Sequence, residues 1–442
     1  MIPKIGDPAP RHWYPTLMVA ICIKLLLSAA MSFRAIPKAI HIMFSEFPVF
    51  EKIKIPNPKT VLRWLTKIGL YKLLAAKEQA NDWALLIDNS IQLGTQKCLV
   101  ILGKRLNQFE KKALKLEDME PISIEVHEES GSETVLQALE RARKKVGGVL
   151  MVCADDGPDL RGGIERFCEK HEVGRTFDIV HKAATYLKKL LADLDPWINF
   201  TTKAAESKKK MQQSKAAHFA PPNQRTKSRF MNIEILVNWG TDALKIAETI
   251  GHKDRELLLE YCPWILELRV FIEFMQQLVL VTQVTRQYIR ENGLHSNAPQ
   301  ELDTLLEALP INMEAAQYAG QLIDFVENES SKVPEGHVWI GSSEIIESLF
   351  GKVKHLEQDQ SKGGFTSLIL GAAACVGKTD LQIIAKALQV IKTEDVYAWV
   401  KEWIGRTLTS KRRMAFGGWR NKRKKKLEQQ QAGAFCEVAS SF

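Results

Sequence analysis

The sequence lacks the usual features of a secreted or membrane protein. Its seven cysteines are scattered and form no C-x-x-C pair, which argues against a disulfide framework or a zinc site. Reduced thiols in a cytoplasmic protein are the expectation, with no secretory signal. The most apolar run, Leu17 to Met31, is short for a membrane span and contains Lys24, so we expect a buried helix there and no membrane partner.

Acidic residues are missing from one stretch near the end. Residues 411 to 426 contain nine basic residues and no acidic one, so the other 426 residues sum to zero in a chain of formal charge +9. Such a run is often only a solvated tail, and in a eukaryote it could be a nuclear signal; its functional interpretation is polyanion binding.

A second basic segment, residues 203 to 229, has eight basic residues against one acidic and contains Pro221 and Pro222 in succession. This composition predicts a mobile loop or linker. The candidate phosphate-binding side chains in the two basic segments are Lys208, Lys209, Lys210, Lys411, Arg412 and Arg413.

Residues 1 to 78 are predicted to form helices. The third of these begins after Asn57, because Asn57 can cap a helix whose first position is Pro58. Its outward residues include Lys59, Arg63 and Lys67, the layout of a helix-turn-helix whose second helix faces a nucleic-acid groove. A plain helical hairpin fits the same pattern.

Short apolar segments rich in β-forming residues begin at Trp83. Residues 83–89, 96–104 and 121–127 predict three strands in a meander. After them the pattern predicts a helix over 132–145, a strand over 148–154, a helix over 159–170, a strand over 175–181 and a helix through 191. This gives a mixed α/β sheet with helices on both faces, in the order of the ribonuclease H fold. A generic α/β domain is the alternative.

The rest of the chain shows helical periodicity, with the longest helix expected from about Pro263 to Asn292 and two more helices over 365–407. The predicted organisation is a helical region (1–78), the first part of a ribonuclease H-like domain (79–202), a basic linker and all-α insert (203–335), the second part of that domain (336–360), and a helical C-terminal region with a basic tail (361–442).

Three carboxylates are expected to meet at one edge of the sheet. Asp88 ends the first predicted strand, Asp155 ends the fourth, and Glu347 lies on the polar side of an amphipathic helix over 341–354. Converging carboxylates repel each other unless cations neutralise them, and oxygen ligands suit two Mg²⁺ or Mn²⁺ ions. Such a site supports in-line displacement at phosphorus.

Each of these residues also has an ordinary structural interpretation. Asp88 could start a turn, Asp155 or Asp156 could cap a helix, and Glu347 could be a surface acid. Their joint placement favours the site, with Asp156 left as an alternative to Asp155.

These residues carry a family resemblance over about residues 80–360. The chain resembles DDE transposases of the bacterial insertion-sequence type, with Asp88, Asp155 and Glu347 in the positions of the triad. The DDGPDL segment after the fourth strand is similar to the family's D-x-G-x-D-L turn. Asp155 and Glu347 are 192 residues apart, which fits the helical insertion domain of such transposases.

Shorter motifs extend the resemblance. Glu347 and Lys354 match the E-x6-K half of the Y-x2-R-x3-E-x6-K signature, whereas Ile340 and Ser343 stand where Tyr and Arg would be. Lys354 and Ser343 are therefore candidate DNA contacts by position only. Asp178 and His181 resemble the C/D-x2-H motif of several DDE superfamilies; a strand-end Asp and a core His are the alternative.

Two further segments bear on ligands. Trp239 could stack on an unpaired base, although a Trp in a helical domain is more often part of the core. GAAACVGKT (371–379) resembles a phosphate-binding P-loop, but five residues separate its glycines where the motif needs four and no strand precedes it, so we expect no nucleotide cofactor.

The resemblance implies a DNA transposase that cleaves transposon ends and joins the 3′-hydroxyl to target DNA. It also implies a homodimer or larger assembly on DNA, by analogy. The alternatives are a metal-dependent nuclease of the same fold, which cuts without joining, and a non-catalytic DNA-binding protein derived from a transposase.

Overall fold

The computed structural model describes residues 8–10, 12–46, 54–93, 96–129, 131–225, 228–358 and 364–417. Three helices come first: α1 (Thr16–Leu27), α2 (Ala35–Ser45) and α3 (Pro58–Leu74). The apolar run is a buried helix as expected, because Val19, Cys22 and Ile23 of α1 are almost fully buried. Asn57 caps α3, since its side-chain oxygen accepts from the backbone N–H of Thr60 at 2.9 Å.

A five-stranded sheet follows, formed by β1 (Ala80–Leu93), β2 (Gln96–Arg105), β3 (Glu120–His127), β4 (Gly147–Ala154) and β5 (Gly174–Phe177). The strand order is β3-β2-β1-β4-β5. β2 runs antiparallel to both of its neighbours, and β4 runs parallel to β1 and β5. These are the order and directions of the ribonuclease H fold, so the predicted fold class is confirmed.

Helices cover both faces of the sheet because β1 is apolar on both sides. Leu85 and Ile87 face α4 (Ser132–Val146) and α5 (Pro158–His171) in one buried cluster. Ala84 and Leu86 face the opposite side, in a second cluster that includes α6 (Ile179–Leu191) and residues of α3. The alternation along one strand thus supplies two cores.

The predicted strand over 175–181 is wrong in its second half. β5 ends at Phe177 and α6 begins at Ile179, so His181 lies on a helix. The cause is Asp178, whose side chain accepts from the N–H of Val180 and caps α6. An acid at this position competes with strand continuation by offering the backbone a helix cap.

An all-α insert follows α6. Its helices are α7 (Asp195–Met211), α8 (Ile233–Glu248), α9 (Arg255–Tyr261), α10 (Arg269–Asn292), α11 (Ala298–Glu307) and α12 (Met313–Ser330). The prediction of a loop over 203–229 is wrong for residues 203–211, which form the second half of α7. Phe200, Ala204 and Met211 keep an apolar face on this lysine-rich helix, and that face is buried.

The insert is tied to the sheet by Glu329 of α12. This fully buried carboxylate accepts from the N–H of Phe177 on the edge strand β5 at 3.0 Å and from Lys332 at 2.5 Å. An otherwise unpaired N–H at the sheet edge is thereby satisfied.

The chain then returns to the sheet through α13 (Glu344–Glu357), followed by α14 (Leu370–Cys375), α15 (Leu381–Val390) and α16 (Thr393–Trp403). α14 and α15 pack on α3, and α1 packs on both α3 and α15. A Cβ at Gly69 of α3 would overlap the carbonyl oxygen of Leu370. Helices α1 and α3 therefore form one helical layer on the sheet together with α14, α15 and α16.

In the described ranges, no helix is both long enough and apolar enough to cross a membrane.

Candidate active site at the carboxyl edge of the sheet

Three aspartates form a row across neighbouring strands. Ile87 of β1 pairs with Ala154 of β4, and Ala154 pairs with Phe177 of β5. The next residues are Asp88, Asp155 and Asp178. Asp155 and Asp178 directly follow β4 and β5, whereas Asp88 does not end its strand as predicted, because β1 continues to Leu93 along β2. The shared register places the three residues on one face of the sheet.

Asp88 and Asp155 interact strongly enough to shift a proton equilibrium. Burial raises the pKa of Asp88 to about 7, and the nearby charges of Asp155 and Glu347 add to this shift, while His181 opposes it. With this pKa, Asp88 keeps its proton to a higher pH than an ordinary aspartate does. A cation between the two would relieve the repulsion.

Of the neighbouring residues Asp155 and Asp156, it is Asp155 that lies beside Asp88 and His181. One oxygen of its side chain accepts from the N–H of Gly157 at 3.3 Å, in a tight turn out of β4. Asp156 is half exposed and points to the guanidinium groups of Arg175 (3.4 Å) and Arg161 (3.7 Å). The geometry therefore favours Asp155 over Asp156 as the candidate, and its membership of a catalytic triad stays a prediction.

Glu347 approaches the same histidine from α13. Ile346, Leu349 and Val353 are buried and hold the helix on the molecule, so Glu347, one turn after the helix start, projects into solvent with 44% of its side chain exposed. Glu344 is anchored differently. Its carboxylate accepts from Arg286 of α10 at 2.7 Å and lies 3.5 Å from Arg290, so the insert holds the first turn of α13.

His181 lies between the carboxylates. Its Nδ1 is 3.9 Å from Asp155 and its Nε2 is 3.7 Å from Glu347. Burial alone would lower the pKa of His181, but Glu347, Asp178 and Asp155 outweigh burial and raise it to about 9. The imidazolium is the cation that balances these acids. In the sequence, only the D-x2-H motif indicated His181. Recognising Asp178 as a helix cap would have placed His181 in the first turn of α6.

The donor set suits a hard divalent cation only in part. Asp88, Asp155 and Glu347 offer oxygen atoms alone, the chemistry that Mg²⁺ and Mn²⁺ prefer. Yet among the residues that the structure describes, no three His, Cys, Asp or Glu side chains are grouped closely enough to hold an ion. Metal binding by Asp88, Asp155 and Glu347 therefore stays a prediction, and in the structure His181 lies between Asp155 and Glu347.

A cavity of about 510 Å³ opens beside His181. One side is formed by Thr185 and Lys188 of α6, and the other by Arg229, Phe230 and Met231. Positive and apolar side chains thus line the cavity next to His181.

Two of the proposed DNA contacts are corrected by burial. Ser343 is only 4% exposed, and both its N–H and its hydroxyl donate to Asp178, so it does not face a ligand. Lys67 is 8% exposed: burial lowers its pKa, which Asp395 and Glu394 of α16 partly offset. The outward face predicted for α3 ends before Lys67, because α16 packs on that helix.

The other basic candidates lie at the surface. Lys59 and Arg63 are exposed on α3, Lys354 is exposed on α13, and Lys209 and Lys210 are exposed on α7, with Lys208 partly so. Lys411, Arg412 and Arg413 are exposed on a helical stretch over 408–417, where Lys411 pairs with Glu128 at 2.9 Å. Residues 418 to 426 of the basic tail lie outside the described residues.

Trp239 belongs to an aromatic group within the insert. Its ring lies 6.4 Å from Phe200 and 6.2 Å from Trp264, and its Nε1 donates to the carbonyl of Phe219 at 2.9 Å. The ring is partly exposed. Base stacking by Trp239 stays a prediction.

The segment that resembles a P-loop follows a short 3-10 turn, and residues 371–375 lie in α14. The loop after it is held by the buried Lys72, whose Nζ donates to the carbonyls of Ala374 (3.2 Å), Val376 (2.6 Å) and Gly377 (3.1 Å). The three carbonyl groups thus accept hydrogen bonds from the ammonium group of Lys72, a residue of α3.

The sequence matches no protein-family model and no curated protein. Among solved structures, the chain is similar to the Drosophila P element transposase strand transfer complex, at a TM-score of 0.40 and 11% identity, covering 87% of this chain and 94% of that one. A similarity of this size says nothing about function, and the fold assignment depends on strand order and direction alone.

Proposed function

We propose that this protein is a DDE-type DNA transposase that cuts DNA at the ends of an element and transfers the 3′-hydroxyl strand into a target. The observation that carries the proposal is that Asp88 of β1 and Asp155, directly after β4, are neighbours on a ribonuclease H sheet, close to the helix that bears Glu347. In that fold, carboxylates so arranged suit phosphoryl transfer.

The chain's own residues have separate roles in this proposal. Asp88 and Asp155 form the rigid part of the site, because each continues a strand of the central sheet. Glu347 completes the site from α13. His181 pairs with Asp155 and Glu347 until metal ions bind. Two Mg²⁺ or Mn²⁺ ions, when bound by these three acids, would activate the attacking oxygen and stabilise the departing one.

Positive side chains around the cleft support a polyanionic substrate. Lys354 follows Glu347 on the exposed face of α13, and Lys188 and Arg229 line the cavity beside His181. Phosphate contacts of this kind make binding depend steeply on salt. We expect the exposed lysines of α7 and the residues 411–413 to extend the same surface.

The first test is substitution of Glu347. Glu347→Gln keeps the size of the side chain but removes its charge, so it should abolish Mn²⁺-dependent nicking of supercoiled plasmid while leaving the affinity for a labelled DNA duplex within about twofold of wild type. Glu357→Gln, the same change two to three turns further along α13, is the matched control and should nick normally. Full nicking by Glu347→Gln would remove this residue from the site.

Strand transfer distinguishes a transposase from a nuclease of the same fold. The protein is incubated with labelled, pre-cut element ends and a target plasmid, the ends being taken from the DNA that flanks the reading frame. Labelled joint molecules support the transposase, whereas nicking without joining supports the nuclease. DNA binding with neither reaction, together with no Mn²⁺ binding in an electron paramagnetic resonance titration, would favour a non-catalytic DNA-binding protein.

A further inference from the structure

We infer that Asp178 is a positioning residue, whose buried carboxylate fixes the first turn of α13 against the end of β5 and thereby sets where Glu347 stands relative to Asp88 and Asp155. This inference rests on the proposed function, and it gives Asp178 a role different from that of the other two aspartates in the row.

Both carboxylate oxygens of Asp178 are already hydrogen-bonded within the protein. Only 2% of the residue is exposed, and one carboxylate oxygen accepts from the N–H of Val180 at 2.7 Å. The other accepts from the N–H of Ser343 at 3.0 Å and from the hydroxyl of Ser343. One side chain thus holds the N-termini of two helices, α6 and α13, which carry His181 and Glu347.

Backbone contacts put this carboxylate at a junction of the site. The N–H of Asp178 donates to the carbonyl of Ala154, the residue before Asp155, at 3.0 Å, and the N–H of Ile179 donates to Gly341 at 3.1 Å. The hydroxyl of Thr176 donates to Ile340 at 3.0 Å. The segment that leads into α13, residues 340 to 343, therefore lies along the end of β5.

Ser343 shows that α13 depends on this contact. It occupies the N-cap position, where a serine ordinarily binds an N–H of its own helix, yet it makes no such bond. Its hydroxyl is directed to Asp178 instead. The start of α13 is consequently fixed by a residue 165 positions away in the sequence, and Glu347 follows one turn later.

Asp178→Asn is the variant that breaks this link with the least change in volume. If the amide oxygen keeps its bond from Val180, the amide nitrogen faces the N–H of Ser343, and two donors cannot pair. Groups that orient metal ligands typically change metal affinity or activity by about 10- to 100-fold when substituted. We expect a rise of that order in half-saturating Mn²⁺, measured by paramagnetic resonance without DNA, and a similar fall in the nicking rate at saturating DNA.

Glu329→Gln is the matched control. Glu329 is also a fully buried acid that accepts from the end of β5, at Phe177, but it joins that strand to α12, and its hydrogen bonds go to Phe177, Asn328 and Lys332. Both variants should lower the melting temperature, whereas only Asp178→Asn should change the Mn²⁺ dependence. Equal Mn²⁺ dependence in the two variants would overturn the inference.

Ser343→Ala provides a second variant if Asp178→Asn does not fold. It removes the hydroxyl and keeps the N–H bond to Asp178, so it should shift half-saturating Mn²⁺ in the same direction by a smaller factor. Wild-type Mn²⁺ binding by a folded Ser343→Ala, in the absence of a folded Asp178→Asn, would count against the inference.

Amide hydrogen exchange separates this inference from the proposed function. If wild-type protein neither binds Mn²⁺ nor nicks DNA, the proposed function fails. Asp178→Asn should still speed exchange in the first turn of α13, residues 344 to 347, relative to Glu329→Gln. Unchanged exchange there would refute the positioning role by itself.

Discussion

At the scale of single residues, buried acids in this protein do one of two things. Burial, together with the nearby charge of Asp155, raises the pKa of Asp88 to about 7. Glu125 of β3 shows the opposite case. Ser123, His127 and Arg141 all donate to it, at 2.6 to 3.1 Å, although the residue is only 1% exposed. Side-chain donors and a nearby Arg thus distinguish Glu125 from Asp88.

Glu125 leads to a prediction about pH. Burial by itself raises its pKa, but the bonds from His127, Arg141 and Ser123 prevail and lower it from 4.5 to about 2. The charged form thus stabilises the fold fully above about pH 4.5, and this contribution is lost as the pH falls towards 2. Glu125→Gln should cost about 2–4 kcal/mol at pH 7, and urea denaturation should show this difference from wild type shrinking between pH 4.5 and 3.

The control for Glu125 is Glu133→Gln, at the start of α4. Glu133 is mostly exposed and pairs with Arg166 at the surface. Its substitution should leave the denaturation midpoint unchanged at both pH values. A Glu125→Gln deficit that stays the same size at pH 3 and pH 7 would contradict the interpretation.

At the scale of elements, α13 is held by three sets of contacts and exposes one face. Its apolar residues are buried, Asp178 accepts from its N-cap residue Ser343, and Arg286 binds Glu344. The open stripe carries Glu347, Gly351 and Lys354. A glycine in an exposed helix interior costs about 0.5–1 kcal/mol relative to alanine, and nothing in the fold requires it there, since a Cβ at Gly351 would meet no atom within 4 Å.

Gly351→Ala is therefore expected to stabilise the protein while impairing its reaction. The added methyl group should raise stability by about 0.5–1 kcal/mol, and it should reduce DNA nicking if the DNA backbone approaches α13 at this point. Gly320→Ala in α12 is the control, because a Cβ there also meets nothing within 4 Å. Melting curves should rise for both variants, and only Gly351→Ala should lose activity. Full activity of Gly351→Ala would show that DNA does not come close at Gly351.

At the scale of the whole molecule, the two ends of the chain are parts of one layer. α3 lies among α1, α14, α15 and α16, and Lys72 of α3 caps the carbonyls at the end of α14. The helix predicted to read a DNA groove is thus largely interior. Exposed Lys59 and Arg63 are at its start, and a nucleic-acid surface on this part of the protein would be limited to that end.

Gly69→Ala tests this shared layer. A Cβ at Gly69 would overlap the carbonyl of Leu370, and backbone cannot yield as a flexible side chain can. Separating α3 from α14 in a close-packed layer should cost about 1–3 kcal/mol or more. The expected result is a lower melting temperature than for wild type, in contrast to Gly320→Ala. If Gly69→Ala melts at the wild-type temperature, α3 and α14 do not pack as described.

The sequence by itself determined the elements that depend on near neighbours. Alternation along β1, the cap at Asn57 and the apolar stripe of α13 all come from residues a few positions apart, and the strand order follows from the succession of elements. Only the tertiary structure decided the partners of polar groups. It directed Asp155 inward and Asp156 outward, buried Ser343 and Lys67, and made Asp178 a link between two helices. The physical reason is that a buried charge needs hydrogen-bond donors or opposite charges around it. Those partners come from segments far away in the sequence, which a local pattern does not identify.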